Sequence, residues 1–192
     1  MIEGIKIGFC ITGSFCTFEK LIPIIDKLIS AGADVTAIIS DAVDKMDTRF
    51  NKAEIFKKEL EEVTRKKVVS TIVEAEPTGP KKLYDVVLVV PCTGNTMAKI
   101  SNSISDTAVS LAVKSHLRNN RPVVLGVSSN DALGGNAKNI GELLNMKNIY
   151  FIPFFQDDPV EKEKSLFFKE EFVIDTIKMA LQNKQLQPLL CV

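Results

Sequence analysis

The chain alternates between short unbroken apolar runs and longer stretches in which apolar residues recur every three or four positions. Residues 5–12, 35–39, 86–90, 123–127 and 149–153 are of the first kind, with the length and composition of strands buried on both faces. Helical patterns lie between them. Leu21, Ile22, Ile24, Ile25, Leu28 and Ile29 share helical spacing, with Pro23 placed to kink that helix or mark a later start, and Gly32 to stop it. Asn51 with Glu54 predicts the cap of an amphipathic helix reaching about Thr64, its lysines and glutamates forming a solvated face. Residues 68–73 read as a short strand and 76–80 as a loop. Ala108, Leu111, Ala112 and Leu117 define a helix capped by Ser105 or Asp106, and Asn139 with Glu142 caps a shorter one. A charged loop then leads to a last helix over about 169–182 and a tail containing Pro188. This alternation predicts an α/β fold, a doubly wound sheet of about five or six mostly parallel strands with helices on both faces. With no linker and no internal repeat, residues 1–192 read as a single domain closed by a C-terminal helix and tail from about 169.

Composition narrows the classes of function. Lysine plus arginine and aspartate plus glutamate each number 24, so no net field points to nucleic acid. No apolar run approaches the roughly 18 residues of a membrane span, and the N-terminus lacks the layout of a signal peptide, so the expected location is the cytoplasm. The four cysteines, at 10, 16, 92 and 191, have no metal-ligand spacing, and there is one histidine, so no metal site is expected. That histidine, His116, falls late in a helix beside Ala112 and Val113, where the helix C-terminus favours a cationic imidazole; its expected role is structural.

Candidate chemistry gathers where the strands end. Residues 12–17, Ser40, residues 93–96 and residues 128–130 are hydroxyl or amide clusters, each at the carboxyl end of a predicted strand. Parallel strands bring these ends to one edge, the edge at which open α/β sheets bind ligands. The stretch Pro91-Cys92-Thr93-Gly94-Asn95-Thr96-Met97-Ala98-Lys99 combines two hydroxyls, an amide, a glycine and a lysine in a strand-to-helix turn, the chemistry of an anion crevice. Asn95 and Thr96 also serve as plain helix caps, and Lys99 is as well suited to solvent as to a phosphate. The first turn has a single glycine, Gly13, which disfavours a dinucleotide fingerprint there and leaves room for a monophosphate. Asp106 and Asp131 lie on the same edge as turn or capping residues, with a base role as the alternative; no catalytic residue is assigned.

Taken together, Gly13-Ser14-Phe15, Ser40 and residues 91–99 resemble the flavin-binding cysteine decarboxylase superfamily, whose recurring Pro-Ala-Ser-Ala-Asn-Thr motif is matched conservatively by Pro91 to Thr96. Within it, residues 75–81, 117–126 and the Ser-Asn-Asp-Ala-Leu-Gly segment at 129–134 are closer to the branch of dipicolinate synthase B-type chains, over nearly the full length. The resemblance implies a Rossmann-like, flavodoxin- or flavoprotein-like sheet holding FMN. In that reading Gly13, Ser14 and Phe15 lie along the flavin and Ser40 reaches its phosphate. Thr93, Asn95 and Thr96 bind phosphate or ribityl oxygens, Lys99 is placed to meet the phosphate, and Ser128 and Asn130 flank the ring. It further implies self-association as a trimer or dodecamer and a small dicarboxylate substrate. The implied partner is the synthase's other, dehydrogenase-like component, carrying NADP or NAD, in the mother cell of a sporulating bacterium. The joint reaction is oxidation of a dihydrodipicolinate-type precursor to dipicolinate.

Two departures bear on the chemistry. The decarboxylase branch carries a histidine between the second strand and the Pro-Ala-Ser-Ala-Asn-Thr turn, yet residues 41–84 contain none. Its Pro-Ala-Met-Asn segment is replaced by Ser128-Ser129-Asn130. Both argue against cysteine-type decarboxylation. A lone decarboxylase or prenyl-transferring relative, and a non-catalytic scaffold for the dehydrogenase component, stand as the alternatives.

Overall fold

The computed structural model describes residues 2–191; the ends of the expected 1–192 unit, Met1 and Val192, lie outside the described residues. The chain runs β1 (Lys6–Ile11), a 3-10 turn (Phe15–Thr17), α1 (Phe18–Ser30), β2 (Asp34–Ile39), α2 (Asp41–Lys45) and α3 (Ala53–Thr64). It continues through α4 (Ile72–Ala75), β3 (Val86–Cys92), α5 (Gly94–Ser101), α6 (Ala108–Arg118), β4 (Val123–Ser129) and α7 (Ala137–Asn145). The last part holds β5 (Ile149–Phe151), β6 (Phe154–Phe155), β7 (Leu166–Phe168) and α8 (Val173–Ala180).

Five strands pair in parallel in the order β2-β1-β3-β4-β5. Alternate residues feed two apolar layers, as expected of a sheet covered on both faces. Val86, Leu88 and Val90 pack with Leu21, Ile25 and Leu28 of α1, Phe56 and Leu60 of α3 and Ile177 of α8. Val87 and Val89 face Met97 and Ile100 of α5, Ala112 and Val113 of α6 and Leu143 of α7. The β3–β4 register slips between Val89 and Cys92, so that Cys92 returns to the second layer where strict alternation would put residue 91. Helix α1 runs through Pro23 with no later start and stops before Gly32, whose φ of +89° and closeness to the Glu3 backbone admit no side chain.

Four expectations are corrected. Residues 68–73 make only a single bridge, Ile38 to Val69, and then turn into α4. The reason is a capping box: Thr71 Oγ1 accepts from the Glu74 amide while the Glu74 carboxylate accepts from the Thr71 amide. Asn51 does not cap α3; its side-chain oxygen accepts from the Lys52 amide, and Asp47 accepts from the Ala53 amide at the helix start. Asn139 lies inside α7, which begins at Ala137. Helix α6 is capped by Thr107 in a box with Ser110, not by Ser105 or Asp106. Thr107→Ala is therefore expected to cost about 1 kcal/mol in urea denaturation, with Ser105→Ala nearly neutral; equal costs would refute the assignment.

The charged stretch after residue 153 also holds more structure than its composition suggests. β7 pairs antiparallel with Ser128 and Ser129 at the end of β4, and β6 pairs with β7. The edge of β4 is thus shared, with β5 along its first half and β7 along its last. The tail lies against this extension, with the Leu189 carbonyl accepting from the Phe154 amide. Gln185 closes the free edge of β5 by bonding both backbone groups of Phe151. Among the described residues no helix is long and apolar enough to cross a membrane.

Candidate functional site

Strand order reverses between β1 and β3, since β1 connects outward to β2 while β3 leads to β4 and β5 on its other side. The loops leaving such neighbours diverge, and the gap between them is the ligand crevice of an open α/β sheet. Here the gap is stitched by one side chain. Thr12 Oγ1, just past β1, donates to the Pro91 carbonyl at 2.7 Å and accepts from the Thr93 amide at 3.1 Å. Thr93 in turn caps α5, its Oγ1 accepting from the Thr96 amide at 3.4 Å and donating to Thr96 Oγ1 at 3.1 Å. Above β3, Ser14 Oγ and Ser128 Oγ meet at 2.8 Å, joining the first turn to the end of β4.

A cleft of about 440 Å³ opens on this edge, lined by Gly13, Ser14, Thr93, Ser128 and Asn130 among others. These are five of the ten residues singled out from sequence. The rest lie elsewhere. Phe15 lines a neighbouring groove of about 610 Å³ and packs on Phe18 at 5.1 Å. Asn95 is exposed and Thr96 buried against the Thr93 cap, and neither lines the cleft. Lys99 is turned away: its ammonium is held by both carboxylate oxygens of Asp106, at 2.7 and 2.8 Å. That same hydrogen bond keeps the Asp106 carboxyl below the usual range.

Ser40 is the exception in kind. It stands at the head of α2 but makes no capping bond, and its Oγ is buried with no hydrogen-bond partner. A buried hydroxyl without a partner is costly and uncommon, and Ser40 is not among the residues lining the cleft. Asp131 is not such a case, since Ser129 and Asn136 donate to its two oxygens at 2.6 and 2.7 Å and hold its carboxyl low. Gly94 sits against this cluster: a Cβ there would stand 2.4 Å from Asn136 Nδ2 and 2.7 Å from Ser129 Oγ.

The thiols of Cys10 and Cys92 are pushed far up by burial and stay protonated, whereas Cys16 is exposed at the cleft rim, 3.8 Å from Ser14 Oγ. Among the described residues no group of three His, Cys, Asp or Glu is arranged to hold a metal.

The β6–β7 side of the cleft was missed from sequence. Phe155, Asp157, Lys162, Ser165 and Phe167 line it, facing Lys20 from α1. The available signal was the apolar triplet Leu166-Phe167-Phe168 after the charged run.

A family model described as Flavoprotein matches residues 1–181. The B chain of dipicolinate synthase from Bacillus subtilis (strain 168) is 44% identical over 189 residues, 98% of this chain and 94% of that protein. The crystal structure of the corresponding dipicolinate synthase chain from Bacillus halodurans C superposes with a TM-score of 0.91 at 40% identity, covering 100% of this chain and 98% of that one. The FMN-dependent cysteine decarboxylase SpaF superposes with a TM-score of 0.69 at 16% identity, covering 95% and 99%, a likeness of fold alone.

Proposed function

The chain belongs to the flavoprotein family, and on that footing we propose that it is the flavin-holding, B-type component of dipicolinate synthase, a two-component oxidoreductase. The observation that carries the reading is the switch-point crevice, with hydroxyls converging from β1, β3 and β4 and the buried Ser40 hydroxyl left without a partner. These donors fit an FMN. Ser40, Thr93, Asn95 and Thr96 would hold its phosphate and ribityl oxygens, Gly13, Ser14 and Phe15 would lie along it, and Ser128 and Asn130 would flank its ring. Lys99, committed to Asp106, would act only after that pair opened. A bound flavin supplies a two-electron acceptor.

The chain's own residues do the rest. Thr12 holds the β1 and β3 ends together, the Ser14–Ser128 bond joins the first turn to the end of β4, and the β6–β7 extension lines one part of the cleft. Aromatising a dihydropyridine ring removes a hydride and a proton. Asp157 is the one carboxylate among the residues lining the cleft, and the Ser165 hydroxyl and Lys162 ammonium outweigh burial to keep it ionised. The partner would be the dehydrogenase-like component of the synthase, with NADP or NAD, and copies of this chain would assemble as trimers or multiples of trimers.

The test is to load the purified chain with FMN and follow its absorbance, then assay precursor oxidation with and without the dehydrogenase-like component. A chain that takes up no FMN overturns the flavin reading; full activity from the dehydrogenase-like component alone overturns the oxidoreductase reading. Ser40→Ala sharpens the first arm. Its hydroxyl makes no bond in the folded protein, so stability should stay within about 0.5 kcal/mol while FMN affinity falls roughly tenfold. Unchanged FMN affinity would remove Ser40 from the site.

A further inference from the structure

The wall of the cleft opposite the hydroxyls has its own chemistry. Two lysines reach it from separate elements, Lys20 from the first turn of α1 and Lys162 from the loop between β6 and β7. Against them Asp157 is the single lining carboxylate, so the lining carries two cations and one anion. Each lysine already has a carboxylate partner at the surface. Lys20 pairs with Glu170 at 3.7 Å, both side chains more than a third exposed, and Lys162 pairs with Asp157 at 3.1 Å. Such exposed pairs contribute little and exchange readily for another carboxylate. Two aromatic rings share the lining: Phe155 and Phe167 meet edge to face at 6.4 Å, with the Lys20 ammonium over the Phe167 ring, 5.3 Å from its centroid. The rings offer edges to the cleft, since Phe167 stacks on Phe168 and the Lys169 ammonium lies 4.3 Å from the Phe155 centroid. The lining's recognition chemistry is therefore its two ammonium groups, which suit a ligand with two carboxylates.

We propose that Lys20 and Lys162, two ammonium groups in one cleft lining, are the residues by which this protein selects a ring dicarboxylate over a monocarboxylate. The inference rests on the reading of the chain as a dipicolinate-forming component and goes beyond it by assigning substrate specificity to residues outside the flavin-facing hydroxyls. On binding, each lysine gives up its internal carboxylate. Release of Lys162 frees Asp157 beside the ring, and release of Lys20 frees Glu170 at the mouth.

Calorimetric titration in calcium-free buffer tests this directly, with pyridine-2,6-dicarboxylate and pyridine-2-carboxylate as probes on the chain with and without FMN. The parent is expected to prefer the dicarboxylate. Lys20→Met and Lys162→Met should each weaken dicarboxylate binding by about tenfold and leave the monocarboxylate nearly unaffected by one of the two. Lys164→Met, outside the lining, should change nothing, and all three should take up FMN as the parent does. Dicarboxylate affinity within twofold of the parent in both lysine variants overturns the proposal, as does a parent that does not distinguish the probes. Because the titration is also read without flavin, a chain that binds the dicarboxylate but no FMN supports the clamp while overturning the flavin reading.

Discussion

Replacing Thr12 by valine is expected to destabilise the protein by about 2–4 kcal/mol and to weaken FMN loading in the same variant. Valine keeps the shape, so no cavity opens. What disappears is the hydroxyl of a residue only 1% exposed, and it serves two backbone groups at once: it donates to the Pro91 carbonyl and accepts from the Thr93 amide. The Pro91 carbonyl would then lose its partner in a buried place and the Thr93 amide in a half-buried one, at a cost of roughly 1–3 kcal/mol apiece. The loss falls on the seam between β1 and β3, so the cap that Thr93 offers α5 would lose its anchor as well. Urea denaturation at pH 7 reads the first effect and flavin absorbance the second. Thr12→Ser, which restores the oxygen, should recover most of both. A valine variant within about 0.5 kcal/mol of the parent would mean that water replaces the hydroxyl and that the seam is not dry.

The contrast between Thr12 and Lys20 explains what could be read in advance. Strand ends follow from buried apolar runs, and parallel pairing forces those ends onto one edge. Thr12, Ser14, Thr93 and Ser128 could therefore be placed together before any coordinates, because period and polarity change at the same residue. Lys20 lies on the exposed side of a helix, where sequence offers no reason to separate it from Lys27. Its relevance depends on β7, whose three residues are too short for a periodic signal and pair with β4 across a charged stretch. Capping was misread for another reason. Ser105, Asp106 and Thr107 are all competent N-caps, and only the reciprocal bonds with Ser110 select the third. At residues 68–73 the β-branched run outweighed a Thr71-x-x-Glu74 signature that was present and decisive.

His116 yields the second large effect, and it runs against the expectation from its place in the helix. It lies in the last turn of α6, where the dipole favours a cation, yet its side chain is fully buried. Burial, followed by the nearby Arg121 guanidinium, pushes its pKa down to about 4, against a reference of 6.5. Neither ring nitrogen has a partner in bonding geometry, and the weak pull of the Asp85 and Pro122 backbone towards the cation is outweighed. The unfolded chain therefore takes up a proton that the fold excludes. The stability at stake is fully present above pH 6.5. It falls as the pH drops from about 6.5 towards 4 and does not change further below that. Between pH 7.5 and pH 5 the expected loss from this one residue is about 2 kcal/mol. Urea denaturation of the parent and of His116→Gln at the two pH values isolates it. Glutamine cannot titrate, so its stability difference between the two conditions should be smaller by that amount even where its absolute stability is lower. Equal pH dependence in both proteins would mean that His116 titrates in the fold as it does in the unfolded chain, so that burial does not hold it neutral.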